Sequence, residues 1–343
     1  MSSATITNVV LLCYGNTVEY KRAIVTILSL LSWKNPDGSK FRLLCYTDNP
    51  EYFKAYLHGV DIEYILLTET ALQQMAGENK YIHRRKICIL EETFSLYPEG
   101  HIVFLDSDTF FFDNSSDCLN QLKYGFSLMH EREYRLEEGP EVYQLYMNHR
   151  MADAPKYPLS FLSFIQSNRF MVEGEEISFN KKQYIWNSGV VGIHNASLSI
   201  LQDVLSFSDK AFLETKWFIS EQLAFCLLLQ AKTKLIATSH SINHYHRHKE
   251  IMDALITVLL SDRFSTMPLP EKLKMVKEFT VKSNKLVALD LSLSMAFGEF
   301  KNKNYWKTAK YVYGALKGVT INGMFLTFVK RKARKATNLK SKH

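Results

Sequence analysis

The run HIVFLDSDTFFF, residues 101–112, constrains this chain more than any other stretch. Ile102 to Leu105 are β-branched, aromatic or aliphatic without a polar break, the composition of a strand covered on both faces. Strands of that kind belong to parallel sheets flanked by helices, so the run predicts an α/β architecture. Its charge begins where the strand should end, with Asp106 and Asp108 on either side of Ser107. In open α/β sheets that end is the ligand side. Two carboxylates one residue apart repel each other if both ionise in a partly buried site, and a divalent cation between or beside them removes the conflict. A metal held there could neutralise a diphosphate.

The surrounding chain agrees with the architecture. Strand-like segments at 8–14 (NVVLLCY), 41–47 (FRLLCYT) and 62–67 (IEYILL) alternate with helical patterns at 19–33 and 81–96, which predicts a doubly wound, mostly parallel sheet. In the first helix Ala23, Ile24, Ile27, Leu28, Leu30 and Leu31 fall at helical spacing, and Pro36-Asp37-Gly38 makes a stop. Residues 114–182 lose the pattern, with several prolines and the acidic Glu137, Glu138 and Glu141, and are expected to form an irregular insertion over the site, a kind of region that often selects substrates.

Three later segments carry polar side chains at element ends. QYIWNSGVVGIH, 183–194, reads as a turn with Asn187, Ser188 and Gly189 before an apolar strand; Gly189 permits close backbone approach and Asn187 can bond sugar hydroxyls. SEQLAFCLLL reads as a helix with Ser220 as its N-cap and Glu221 and Gln222 in its first turn. KLIATSHSINHYHRHKE, 234–250, holds His240, His244, His246 and His248. If that segment is extended, His244, His246 and His248 share one side. One of them is expected to bind metal, with the others on a polar surface, and Lys249 is placed to meet a phosphate as a point charge.

Composition sets the class and the partners. With 343 residues, 46% of them hydrophobic, the chain can bury a large core. Five scattered cysteines without a CxxC pair argue against a disulfide framework and for a reducing cytosol. No stretch holds about 20 uninterrupted apolar residues, and the N-terminus reads as a first strand rather than a signal peptide. The net charge of +7 is unevenly spread: all 35 acidic residues lie at or before Glu299, and twelve Lys and Arg follow Phe300. The tail mixes those charges with Tyr305, Trp306, Tyr311, Tyr313, Met324, Phe325 and Phe328, and Lys330, Arg331, Lys332, Arg334 and Lys335 follow directly. That mixture suits an anionic membrane surface, where each charge is worth about 1 kcal/mol, better than nucleic acid. The expected location is cytoplasmic, peripheral on the inner face of a membrane.

Taken in order, FLDSDTFFF, YIHRRKICIL, WNSGVVGI, SEQLAF and INHYHRHK resemble a nucleotide-sugar glycosyltransferase of the A-type fold, most like the family 8 class that includes bacterial lipopolysaccharide galactosyl- and glucosyltransferases. The resemblance spans about Asn8 to Lys249. It implies that Asp106, Asp108 and His244 hold Mn²⁺ or Mg²⁺, with His246 as the substitute ligand. It implies that Arg84, Arg85 and Lys86 contact the donor sugar or diphosphate, with Ser107 also on the donor side, and that Lys249 reaches the β-phosphate. Tyr14 and Asn16 would line the base and ribose pocket, Asn187 and Ser188 would meet the sugar, and Glu221 and Gln222 would lie under the anomeric carbon. Two departures stand out: the family's closing histidine is commonly followed by glycine at three and lysine at six positions, where this chain has Arg247 and then Lys249 at five, and its acidic-amide pair usually begins with Asp.

The resemblance implies a catalytic domain over 1–249 and a helical, basic region over 250–343. The activity implied is retaining transfer of a hexose from a nucleoside-diphosphate sugar, UDP-linked, to a glycan or glycolipid hydroxyl. Two other readings use the same residues. A phosphatase of the haloacid-dehalogenase type would use Asp106 as nucleophile, but its motif is normally followed by Thr or Val where this chain has Phe110. A non-catalytic protein would bind the nucleotide sugar and turn over nothing.

Overall fold

The computed structural model describes residues 5–35, 40–147, 155–301 and 303–317. The stop expected at Pro36-Asp37-Gly38 and the tail residues from Met324 to Lys335 lie outside them. The chain divides into two compact units, Met1–Thr280 and Val281–His343.

The first unit opens with alternating strands and helices: β1 (Thr7–Cys13), α1 (Thr17–Ser32), β2 (Phe41–Thr47), α2 (Pro50–Tyr56), β3 (Glu63–Leu66), α3 (Glu69–Ala76), α4 (Arg84–Leu96) and β4 (His101–Leu105). Local chemistry sets several starts. Asn16, Asn49 and Thr68 cap α1, α2 and α3 by accepting backbone N–H bonds, and Pro50 takes the first position of α2. The helix expected from Tyr81 begins at Arg84. Tyr81 is instead held apart from the helix, its hydroxyl donating to the carbonyl of Phe218.

After β5 (Thr109–Phe111) comes the stretch expected to be irregular. It contains α5 (Ser115–Leu119), β6 (Phe126–Met129), β7 (Arg132–Arg135), α6 (Gly139–Met147), α7 (Lys156–Ser167), β8 (Phe170–Val172) and β9 (Glu175–Ile177). What the local pattern hides is aromatic packing. Phe161, Phe164 and Phe170 surround Phe207, with ring centroids 4.7 to 6.3 Å from it, so these short elements are ordered by tertiary contact rather than propensity.

The unit continues through β10 (Tyr184–Trp186), β11 (Val190–Ile193), α8 (Ile200–Thr215), α9 (Ser220–Lys232), β12 (Lys234–Ala237), β13 (Ile242–His244), α10 (Lys249–Leu259) and α11 (Asp262–Thr266). Helix α12 (Leu269–Lys301) crosses the division at 280, and α13 (Tyr305–Lys317) lies in the second unit. Tyr305, Trp306 and Tyr313 on α13 are exposed.

The main sheet has seven strands in the order β12-β6-β11-β4-β1-β2-β3, all parallel except β11, which runs against both its neighbours. The architecture is therefore α/β with a mostly parallel sheet and a helical C-terminal part. Successive strands move outward from β1 to β3 and then return to the other side of β1 with β4. That reversal opens a crevice beyond the C-terminal ends of β1 and β4, where Tyr14 and Asp106 follow their strands.

Candidate functional site

Three segments converge on the end of β4. The loop between β4 and β5 carries Asp106, Ser107 and Asp108. Strand β13 pairs antiparallel with β5, setting His244 opposite Thr109, and the N–H of Tyr245 donates to the carbonyl of Asp108. The turn between β10 and β11 brings Asn187, Ser188 and Gly189 alongside, and the N–H of Asp106 donates to the Gly189 carbonyl.

Asp106, Asp108 and His244 each offer a ligand atom within 4.8 Å of the other two. His244 Nε2 lies 3.2 Å from Asp108 and 3.8 Å from Asp106. Its Nδ1 lies 2.7 Å from Asn187 Oδ1, which also accepts from the Gly189 N–H. An oxygen in that position needs a donor, so Nδ1 carries the hydrogen and Nε2 faces the carboxylates. Two carboxylates and an imidazole nitrogen whose far side is fixed by a hydrogen bond form a donor set that fits a divalent cation. Gly189 is required here: a Cβ would sit 2.2 Å from His244 Nδ1. Without an ion, burial lowers and Asp108 raises the His244 basicity, the net being upward. Burial opposes ionisation of Asp108, but His244 and Lys249 together hold its carboxyl well below the usual range.

Two lysines flank the group. Lys249, the first residue of α10, lies 2.9 Å from Asp108 with its side chain 43% exposed. Lys86, on α4, is buried between Asp106 at 3.3 Å and Glu221 at 3.0 Å, and donates to the Ser188 carbonyl at 3.1 Å. Burial disfavours its charge, yet the two carboxylates more than restore it. Glu221 is pushed up by burial against the pull of Lys86. Gln222 Oε1 accepts, at 3.4 Å, from the N–H of Ser188. Ser220 is the first helical residue rather than the N-cap: its hydroxyl donates to the Trp217 carbonyl, and the Glu221 N–H donates to the Tyr81 hydroxyl.

The other residues singled out in the sequence are dispersed around this centre. Ser107 donates to Glu19 at 2.8 Å. Tyr14 accepts from Arg85 at 2.7 Å, while the side chain of Asn16 caps α1. Arg84 is turned away, paired with Asp209 on α8 and donating to the Met75 carbonyl. The segment is extended only as far as His244, where the strand ends, so strand alternation does not set the sides of His246 and His248. The His246 ring lies 4.6 Å from that of His244, His240 pairs with Gln121, and His248 precedes α10. Burial and the nearby charge of His244 push both His130 and His246 down to about 3.

Sequence reasoning missed Glu19, Arg22, Thr26 and Glu133. Glu133 bonds Asn187 and pairs with Arg247 at 3.5 Å; burial raises its carboxyl against the pull of Arg247. The first three form an i, i+3, i+7 polar stripe inside the mostly apolar α1, a signal that periodicity could have supplied.

No family model matches the chain, and no curated protein matches it. Among solved structures it is similar to mouse xyloside xylosyltransferase 1 in its apo form, at 15% identity and a TM-score of 0.43, over 68% of this chain and 85% of that one. At that score the functional reading rests on the site itself.

Proposed function

We propose that this protein is a metal-dependent glycosyltransferase of the A-type fold. It moves a hexose from a nucleoside-diphosphate sugar, UDP-linked, to a hydroxyl of a glycan or glycolipid. The observation that carries the reading is the Asp106, Asp108 and His244 group at the sheet's switch point, with Lys249 beside it. A lone carboxylate pair could cap a turn; adding an oriented imidazole and an ammonium makes a site for a metal-bound diphosphate.

Breaking the anomeric C–O bond leaves negative charge on the departing diphosphate. Lys249, half exposed and held by Asp108, offers its ammonium to that charge as it develops. Mn²⁺ or Mg²⁺ bound by the three ligands would supply Lewis acidity at the same oxygens. Lys86 fixes the Glu221 carboxylate and the Ser188 carbonyl at the wall where the sugar would lie, and Asn187, which holds His244, would meet a sugar hydroxyl there. Gln222 is a poor nucleophile, so a front-side retaining path is the better fit. In it the acceptor oxygen bonds the anomeric carbon as the phosphate oxygen leaves, and the acceptor proton passes to that oxygen. Tyr14, Asn16 and Arg85 would line the base and ribose side, and residues 114–182 the acceptor side.

The basic tail would bind an anionic membrane surface on the cytoplasmic side. Among the described residues no helix is long and apolar enough to cross a membrane. A chain ending near Glu299 that still floats with anionic vesicles would remove that part of the reading.

The test is nucleoside diphosphate release from a panel of nucleotide sugars with Mn²⁺, with chelator, and with Asp108→Ala. Metal-dependent release from one donor, lost in the variant, is the expected result. Absence of both turnover and donor-induced thermal stabilisation would overturn the proposal.

A further inference from the structure

Arg22 is a guanidinium in the middle of α1 with its side chain only 7% exposed, and the chemistry proposed above does not use it. Burying it costs several kcal/mol unless its charge is paired and its donors are satisfied. Its Nε and Nη2 bond both oxygens of Asp253, at 2.7 and 2.6 Å, and Nη1 bonds Glu19. The other Glu19 oxygen accepts from Ser107, the residue between the two metal-site carboxylates. Asp253 lies one helical turn beyond Lys249 on α10, and Lys249 reaches Asp108. The contacts close into a ring: Asp108, Lys249, the first turn of α10, Asp253, Arg22, Glu19, Ser107 and back to Asp108.

Helix α1 supports the same loop a second time. The Thr26 hydroxyl lies 2.8 Å from the Ser107 carbonyl and 2.7 Å from that of Thr109, the residues on either side of Asp108. Thr26 bonds the loop directly, whereas Arg22 links it, through Glu19, to Asp253 on α10. The Arg22–Asp253 contact is charge-assisted and bidentate, the geometry that fixes a helix in rotation as well as position.

We infer that Arg22 is a positioning residue that aims Lys249: by clamping Asp253 it sets the rotation of α10 that brings the Lys249 ammonium to the Asp108 edge of the site. His244 does not depend on this clamp, since it is placed by β13 and Asn187, and the Asp106–Asp108 loop keeps its bonds to Thr26 without it. The role in diphosphate binding rests on the proposed function; the clamp itself does not.

The test has two arms. In the ligand-free protein, acylation of individual lysines is followed by mass spectrometry in the unmodified chain, in Arg22→Gln and in Asp253→Asn. Several-fold faster labelling of Lys249 with unchanged labelling of Lys86 and Lys272 is expected, and unchanged labelling of Lys249 would overturn the clamp whatever the ligand. Asp253→Asn removes the pairing from the more exposed partner and keeps the test alive should Arg22→Gln fail to fold. In the second arm, UDP binding with Mn²⁺ is measured for Arg22→Gln, Lys249→Ala and the double variant. About tenfold weakening in each single variant, and no further loss in the double, supports aiming through Lys249. Multiplying losses would show that Arg22 acts elsewhere and overturn the inference. Faster Lys249 labelling in a protein that binds no UDP would leave the clamp standing and refute the functional reading instead.

Discussion

The two lysines of the site are opposites. Lys86 is buried, held by two carboxylates and a carbonyl, and has no freedom to leave; Lys249 is 43% exposed and pairs with the Asp108 carboxylate. A buried ammonium in a closed network is part of the wall, because breaking it strands a carboxylate away from water. A half-exposed ammonium on one carboxylate can exchange that partner for a phosphate at little cost. The α4 and α9 side of the site is therefore built for rigidity, and the α10 side for exchange.

This contrast can be broken in four ways. The largest effect is expected from Asp108→Ala, which removes the shared partner of His244 and Lys249. Metal-dependent turnover should fall by at least about 10³-fold, and retention of metal-dependent activity would place the metal elsewhere. Next is Lys86→Met, which leaves Glu221 buried without its cation and should cost about 3 kcal/mol of stability in a denaturant titration. A loss as small as that of a surface residue would mean that Glu221 finds another partner.

Lys249→Ala should do the reverse, lowering kcat/KM by about 10²-fold while shifting stability by less than about 0.5 kcal/mol. Equal effects on stability in the two lysine variants would erase the contrast.

The smallest effect concerns His130, buried behind His244 with a ring nitrogen 3.1 Å from the Ile242 carbonyl. Its folded value, about 3, lies below the ordinary 6.5, so the unfolded chain takes up the proton first as pH falls. The native state loses up to about 1.4 kcal/mol per pH unit from this group below pH 6.5 and on toward pH 3. In His130→Gln the slope of stability against pH over that window should flatten, and an unchanged slope would show that the imidazole is not held neutral.

The sequence made the sheet legible where strands are apolar on both faces and helices carry a regular stripe. β1, β2 and β4 fall within a residue or two of expectation, as does the position of the Asp106 and Asp108 turn. It was less informative where order comes from distant partners. The elements between 114 and 182 rest on aromatic contacts to Phe207 and Trp217, which no local period records. The same holds at the site. His244 lies 57 residues beyond Asn187 yet depends on it for its orientation, and the dependence of His244 on a missing Cβ at 189 is visible only in space. Arg84 shows the converse: its place beside Arg85 and Lys86 suggested a shared duty, but successive helical residues point in different directions, and Arg84 faces Asp209.

The reversed strand β11 has a consequence for how the molecule assembles. It lies between β4 and β6 and bonds to both, so it can be fixed only after a chain segment some ninety residues upstream is in place. Pairings of such long separation form slowly, because the loop must close before any contact rewards it. Asn187, Ser188 and Gly189 immediately precede this strand, which ties the Ser188 carbonyl that Lys86 holds and the orientation of His244 to a late step of folding. A partly folded chain would thus hold the Asp106 and Asp108 turn without its histidine in register, and assembly of the Asp106, Asp108 and His244 group would report completion of the sheet.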